Sequence, residues 1–193
     1  MKKSTTIGTI SFMVILVAVV GIYAFFSERT RNTSADSEMT AVTLALSRNL
    51  QNDYPPTVKE VVKYFTEIQK CLYKGEWTEE EFEQLAMKAR ELFDPELQEK
   101  NEPDSYVVRL KQDVDGFQAK NWQMSTISVA SSNNVDYFEA DGYSFARILC
   151  KYTVRQDGKP VMSETVYLLR RDENRRWRIY GWDRAENVNL QDL

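Results

Sequence analysis

A carboxylate and a phenol on neighbouring predicted strands are the first candidates for chemistry. Glu164 shares its strand parity with Val166 and Leu168, so we expect it to face inward near Tyr152. A carboxyl group buried beside a phenol would have a raised pKa and could transfer protons. Alternatively, Glu164 is solvated at a strand end and Tyr152 is a core aromatic held by its hydroxyl. Because the sequence has no histidine and no carboxylate pair fixed by spacing, we favour a non-catalytic protein.

Five arginines and a tryptophan gather around the last predicted hairpin. They are Arg170, Arg171, Arg175, Arg176, Arg178 and Trp182. Guanidinium groups bind phosphate through paired hydrogen bonds. In an otherwise acidic chain, this group therefore predicts a binding site for an anionic envelope polymer or for lipid headgroups. The other interpretation is a solvated turn whose arginines protect the strand edge from pairing with another chain.

The two cysteines are candidates for a disulfide. Cys71 falls on a predicted helix and Cys150 on the apolar face of a predicted strand, so each is most simply a small buried hydrophobic residue. If those two faces meet outside the cytoplasm, the two cysteines can form a disulfide. With no histidine and only two cysteines, the chain lacks the usual zinc ligands, and we predict neither a metal nor another cofactor.

Charge and composition exclude several classes of protein. The chain of 193 residues has a formal net charge of −4. Residues 1–31 carry four basic side chains and one acidic side chain, so the rest of the chain carries about −7. General nucleic-acid binding depends on positive charge that neutralises phosphates, and we therefore predict no nucleic-acid partner. The absence of histidine also excludes His-dependent triads and a histidine-based pH switch.

The N-terminal region contains an uncharged run from Ile7 to Phe26. A helix of that length extends for about 30 Å, which matches the hydrocarbon core of a bilayer. A cleaved signal peptide is the alternative, but its apolar core would be shorter and would end in small residues. We therefore predict a cytoplasmic head at 1–6, a transmembrane helix at 7–26, a linker at 27–37 and an extracytoplasmic domain at 38–193.

The orientation of this predicted span depends on the segments that flank it. The basic residues are nearly balanced, with Lys2 and Lys3 before the run and Arg29 and Arg31 after it. A short head and a large C-terminal domain favour an N-terminus inside the cell and a domain outside. The predicted location is the cell membrane, with a single span.

Four helices and five strands are predicted after the linker. Apolar residues recur at helical spacing in segments 38–51, 57–73, 78–93 and 104–117. Alternating apolar residues then predict strands at 126–129, 135–138, 143–155, 161–171 and 176–182. Asp157 and Gly158 predict a hairpin turn between the third strand and the fourth. Helices followed by an antiparallel meander predict an α+β domain, with the helices packed on one face of a curved sheet.

This order of elements, with the ending Trp177-Arg178-Ile179-Tyr180-Gly181-Trp182, resembles the nuclear-transport-factor-2-like (NTF2-like) superfamily. The resemblance implies a cone-shaped fold in which a curved antiparallel sheet wraps over helices. Three patches resemble more closely a family of single-span membrane proteins from clostridial-type bacteria. They are residues 52–55 with Val61 and Val62, residues 89–94, and residues 169–172 leading into the tryptophan-rich ending. Neither resemblance implies an activity, because this fold serves enzymes, binding proteins and scaffolds alike.

We therefore expect a membrane-anchored extracytoplasmic module that binds a ligand or assembles with a partner and performs no chemistry. One alternative is a scaffold subunit of an envelope or conjugative secretion machine, which predicts self-association across the open face of the sheet. A second alternative is a small-molecule-binding protein or proton-transfer enzyme that uses the cavity of the cone. The predicted partners are the membrane, an envelope protein or anionic polymer, and a second copy of the chain.

Overall fold

The computed structural model of the protein describes residues 40–188. The predicted head, transmembrane helix and linker at 1–37 lie outside these residues. Across 40–188, no helix combines the length and the apolar character that crossing a bilayer requires.

In the described part of the chain, five α-helices precede the sheet. They are α1 (Ala41–Ser47), α2 (Val58–Lys74), α3 (Glu79–Arg90), α4 (Pro95–Glu99) and α5 (Pro103–Ala119). Four of them are the predicted helices, with α1 shorter than expected. The short helix α4 was not predicted, because Asp94-Pro95 was interpreted only as a helix break. Asp94 instead caps α4: its carboxylate accepts a hydrogen bond from the Glu96 amide at 3.1 Å.

Threonines begin the two helices that carry most of the helical core. At the start of α3, Thr78 accepts from the Glu81 amide at 3.2 Å, and the Glu81 carboxylate accepts from the Thr78 amide at 2.7 Å. This is the predicted reciprocal capping box. At the start of α2, Thr57 accepts from the Glu60 amide at 3.2 Å. There the Glu60 carboxylate bonds to the threonine hydroxyl rather than to its amide, so only half of the expected box forms.

Five antiparallel strands form the sheet in residues 40–188. They are β1 (Gln123–Val129), β2 (Asp136–Ala140), β3 (Tyr143–Gln156), β4 (Lys159–Arg171) and β5 (Trp177–Arg184). β3, β4 and β5 form the predicted meander. In a full meander β1 and β2 would pair with each other, but here they do not. Both lie along the same edge of β3, because the 3₁₀ turn Ser132–Asn134 continues the chain along that edge without reversing it.

The inner face of the sheet carries the core and is covered by α2. On β3 the predicted apolar face is confirmed, since Ala146, Ile148 and Cys150 are all buried. From α2, Phe65 and Ile68 are buried in the same core cluster. Full burial of each large apolar side chain contributes about 1.5–3 kcal/mol.

The last strand joins the helical layer through main-chain contacts. The amide of Asp94 donates to the carbonyl of Ile179 at 2.8 Å, and the amide of Ile179 donates to the carbonyl of Leu92 at 2.9 Å. The hydroxyl of Tyr54 donates to the carbonyl of Trp177 at 2.8 Å. The segment between α3 and α4 therefore acts as a short parallel extension of the sheet beside β5.

Two phenols packed into the domain, one buried and one half-buried, predict a loss of stability in alkali. Burial raises the pKa of Tyr54 and of Tyr64 from 10.0 to about 12. Each hydroxyl donates to a main-chain carbonyl, Tyr54 to that of Trp177 and Tyr64 to that of Ala45 at 2.6 Å. Since the folded pKa is raised, this stabilisation is fully present below pH 10 and is lost as pH rises through about 12. We expect urea midpoints to fall across this window. Tyr64→Phe should be less stable at pH 8 but show a shallower fall, and an unchanged slope would contradict the assignment.

Candidate functional site

Glu164 lies on the outer face of the sheet, so the prediction that it points inward near Tyr152 is wrong. Glu164 pairs in register with Lys151, whereas Tyr152 pairs with Ser163. Directly opposed residues of an antiparallel pair share a face, so Glu164 and Tyr152 project from opposite faces. The carboxylate is exposed and lies 2.6 Å from the Lys151 ammonium.

The error has a simple physical origin, because both faces of β4 carry apolar residues. Val166 is 6% exposed and Tyr167 is 1% exposed, although they project in opposite directions. Only the pairing with β3 decides which of the two lies against the helices. Tyr167 opposes Ile148 and therefore belongs to the inner face.

Tyr152 instead belongs to a closed cluster of polar groups on the inner face. Its hydroxyl oxygen lies 2.5 Å from that of Tyr167 and donates to Oε1 of Gln69 at 2.9 Å. Burial raises the pKa of Tyr152 and of Tyr167 well above the usual range of a phenol. Both phenols therefore stay protonated near neutral pH. Within residues 40–188, no carboxylate hydrogen-bonds to this cluster, so it offers no base for proton transfer.

Cys71 and Cys150 are free, buried thiols, and the disulfide left open by the sequence is not formed. Burial raises the pKa of both thiols, that of Cys150 to about 11. Cys150 lies on the inner face of β3, whereas Cys71 lines a cleft on the other side of α2. In residues 40–188, no cluster of His, Cys, Asp or Glu has the composition of a metal site.

We expect the thiols of Cys71 and Cys150 to react slowly in the native protein. The thiolate is the reactive form, and both thiols are buried with raised pKa values. We expect the native chain to react with Ellman's reagent at pH 7.5 only over hours, and both thiols to react at once in denaturant. Denatured, unreduced protein that yields no free thiol would instead show a disulfide.

Arg170 belongs to a largely buried ion-pair network. Its Nε donates to Oδ2 of Asp94 at 2.9 Å, its Nη2 to Oδ1 of Asp94 at 2.5 Å, and its Nη1 to Oε1 of Glu96 at 2.6 Å. The guanidinium carbon lies 4.7 Å from the ring centroid of Tyr143 and 4.8 Å from that of Tyr180. Asp94 is only 1% exposed. Arg170 therefore stabilises the fold and is not available to an external anion.

Arg178 and Arg176 are also engaged within the domain. Arg178 donates to the carboxylate of Asp172 at 2.9 Å and to the carbonyl of Glu91 at 2.6 Å. Arg176 donates to a carbonyl of the loop between α1 and α2 at 3.0 Å. Their guanidinium carbons lie 4.7 and 5.1 Å from the ring centroid of Tyr54. These two arginines join the β4–β5 turn to the helical layer.

Arg171 and Arg175 have no carboxylate partner among residues 40–188. Arg171 donates from Nε to the carbonyl of Arg175 at 3.3 Å, and its guanidinium carbon lies 5.6 Å from the ring centroid of Trp177. Arg175 adopts a positive φ of 62° in the turn and is exposed. Arg170, Arg176 and Arg178 therefore stabilise the fold through contacts within the domain, whereas Arg175 is exposed in the turn.

A cleft of about 720 Å³ opens beside the β3–β4 hairpin. We call it the distal cleft. Its apolar lining comprises Phe117 and Trp122 from the end of α5 and the loop after it, and Val154, Val161 and Met162 from the hairpin. Val161 is 42% exposed and Met162 is 79% exposed. Such exposed apolar side chains beside a cleft are typical of a contact surface.

Trp182 lies next to the distal cleft on the inner face of β5. It pairs with Tyr167, and the next inner-face residue, Arg184, lines the cleft. The ring of Trp182 lies 5.8 Å from those of Phe65 and Phe93 and 6.0 Å from that of Tyr167, measured between centroids. It is nevertheless 46% exposed. An aromatic side chain that is held by three rings and open to solvent is well suited to binding.

Sequence reasoning missed the two residues that organise these networks, Asp94 and Gln69. Asp94 was assigned to a helix break, although an aspartate directly before a proline is also a helix-capping signal. Gln69 lies between Phe65 and Leu72 in α2, nine of whose residues are buried. A polar residue on the buried stripe of a helix signals a buried hydrogen-bond partner.

A family model described as "Domain of unknown function (DUF6715)" matches residues 1–182 of the chain. The match includes the predicted transmembrane segment and all but the last two residues of β5. No curated protein matches the sequence.

Proposed function

Because the chain belongs to the DUF6715 family, whose model includes both the uncharged run at 7–26 and the α+β domain, we propose a membrane-anchored binding module. In this proposal the run is a single transmembrane helix, the N-terminus is inside the cell and the domain is outside. The support is the length of the uncharged run, which suits a bilayer. In addition, Tyr23, Phe25 and Phe26 stand at its end, where a signal-peptide cleavage site would have small residues.

The proposed fold of the domain is the NTF2-like cone. Its support is the packing of α2 on the inner face of the sheet and the strand order β1-β3-β4-β5 with β2 on the same edge of β3. A bulge in β5 near Tyr180 supports the curvature, because Leu168 opposes Gly181 while Leu169 opposes Ile179.

The observation that carries the binding role is the exposure of Trp182. A residue that only filled the core would be buried, yet Trp182 is 46% exposed, and the next inner-face residue of β5, Arg184, lines the distal cleft. The neighbouring polar groups, Tyr152, Tyr167 and Gln69, satisfy one another and stay neutral. Beside this neutral cluster, the distal cleft combines its apolar lining with the charged side chains of Glu164, Arg184 and Glu186.

The test is site-specific crosslinking in intact cells. A photoreactive phenylalanine analogue is placed at Met162, on the rim of the distal cleft, or at Val108, which is 55% exposed on α5 and outside the cleft. We expect a discrete adduct from position 162 that is weakened at least about tenfold by Trp182→Ala, as for the dominant contact residues of interfaces. Equal adducts from both positions, or no effect of Trp182→Ala, would overturn the proposal.

The location is tested separately. Protease added to whole cells should remove the domain, and the protein should remain in the membrane fraction after washing with carbonate. A mature chain recovered in solution without its first thirty residues would overturn the anchor. That result would not decide the role of Trp182, which the crosslinking experiment tests independently.

A second candidate is the scaffold subunit that self-associates through the outer face of the sheet. The observation that favours it is an apolar strip on that face, where Phe145 and Val166 are buried and Leu149 and Leu168 are partly exposed. Leu168→Glu should then convert an oligomer into a monomer in native mass spectrometry. The proton-transfer alternative loses its proposed pair, because Glu164 and Tyr152 project from opposite faces of the sheet and Glu164 is bonded to Lys151.

A further inference from the structure

A second cleft, separate from the distal cleft, lies between α1 and α2 and has a volume of about 1080 Å³. We call it the α1–α2 cleft. One wall is a stripe of α1 at helical spacing, with Ala41, Leu44 and Ala45. The other wall comes from α2 and includes Cys71. Leu44 is 61% exposed. The small alanines make room, and the leucine provides an apolar surface.

The hydrogen bonds around the α1–α2 cleft keep its walls in place. The hydroxyl of Tyr64, on α2, donates to the carbonyl of Ala45, on α1, at 2.6 Å. Arg48 forms an ion pair with Asp53 at 3.0 Å, and its guanidinium carbon lies 5.1 Å from the ring centroid of Tyr64. The cleft is therefore a preformed feature of the helical layer, and binding there does not require the helices to separate.

The charges around the α1–α2 cleft are paired, with one exception. Arg48 is paired with Asp53, Glu67 with Lys63 at 3.9 Å, and Lys74 with Glu76 at 2.7 Å. Lys70 lines the cleft and is exposed. Among residues 40–188 its ammonium has no ion-pair partner. A single uncompensated positive charge therefore stands at the edge of an apolar cleft.

We propose that the α1–α2 cleft binds a small amphiphilic anion, with its apolar body against Leu44, Ala45 and Cys71 and its acidic headgroup on Lys70. Apolar surface supplies affinity through burial, and the unpaired ammonium selects for one negative charge. A free fatty-acid-like carboxylate and an anionic membrane lipid share this chemistry. A neutral alcohol of equal chain length lacks the headgroup.

Cys71 provides a local readout, because it lines the cleft and is 6% exposed. The full chain is placed in phosphatidylcholine nanodiscs, and alkylation of each cysteine by N-ethylmaleimide is followed by peptide mass spectrometry. Cys150 is fully buried elsewhere and reports any general change in unfolding. We expect octanoate to slow alkylation of Cys71 about fivefold at saturating concentration and to leave Cys150 unchanged. Octanol should have a much smaller effect.

Two variants and a control test the role of each wall. Lys70→Gln should reduce protection by octanoate to the level seen with octanol, whereas Lys59→Gln, on α2 outside the cleft and with no ion-pair partner among residues 40–188, should not. Ala41→Phe should fill the cleft and abolish protection without touching the core, because Ala41 is exposed.

Changing the nanodisc lipid distinguishes a membrane lipid from a free amphiphile as the source of the anion. If a membrane lipid is the natural occupant, nanodiscs that contain phosphatidylglycerol should protect Cys71 without octanoate, in a manner that depends on Lys70. If a free amphiphile is the occupant, only octanoate should protect. Equal protection by octanoate and octanol, protection that survives Lys70→Gln, or no protection in either nanodisc would overturn the proposal.

Discussion

Replacing Asp94 with alanine is expected to lower the free energy of unfolding by about 3–5 kcal/mol. Asp94 is 1% exposed and provides both carboxylate oxygens to Arg170. The side chain of Arg170 is only 12% exposed, so the substitution leaves a poorly solvated cation with Glu96 as its remaining carboxylate partner. The substitution also removes the cap of α4, which adds about 1 kcal/mol.

Urea unfolding followed by circular dichroism measures this effect, and an exposed ion pair provides the control. Glu164→Ala breaks the pair with Lys151, in which both side chains are solvated, and should cost less than about 1 kcal/mol. The double variant Asp94→Leu, Arg170→Met should be more stable than Asp94→Ala alone, because it leaves no buried charge. A cost below about 1 kcal/mol for Asp94→Ala would show that the pair does not stabilise the fold.

Replacing Phe93 with alanine should have an effect of similar size, about 3–5 kcal/mol, and should also disturb the candidate site. Phe93 is 1% exposed, and its ring centroid lies 5.8 Å from that of Phe65, 5.6 Å from that of Tyr106 and 5.8 Å from that of Trp182. Removal of the ring leaves a cavity and takes away one of the three rings that support Trp182.

Two measurements separate these effects. Urea unfolding gives the loss of stability, and tryptophan emission in native buffer should shift to longer wavelength as Trp182 becomes more mobile and hydrated. Phe138→Ala removes a half-buried ring stacked on Phe145 on the outer face and should cost much less without a shift in emission. A Phe93→Ala variant with unchanged emission would contradict the view that Phe93 positions Trp182.

The helix starts and the face of β3 could be predicted because their signals are local. The capping box of Thr78 and Glu81 lies within four consecutive residues, and it forms as expected. On β3 only one face carries a long apolar run, so parity alone identified Ala146, Ile148 and Cys150 as core residues. Pattern reasoning succeeds where a single face or a single turn contains all the information.

The features that were predicted wrongly or missed depend on contacts between residues that are far apart in the sequence. Glu164 was misplaced because β4 is apolar on both faces, and only its pairing with β3 distinguishes them. Asp94 and Arg170 are 76 residues apart, and neither residue signals the other locally. The arginine group looked like one binding surface, yet three of its five members are held by carboxylates, carbonyls and aromatic rings within the domain.

The attachment of the last strand to the helices has a consequence for synthesis of the chain. The hydroxyl of Tyr54 and the loop before α2 bond to residues of the β4–β5 region that are translated more than a hundred residues later. A growing chain therefore leaves Phe65, on the apolar side of α2, without its contact to Trp182 until β5 has left the ribosome. A transcript truncated before Trp177 should yield a target for chaperones and proteases rather than a smaller stable domain.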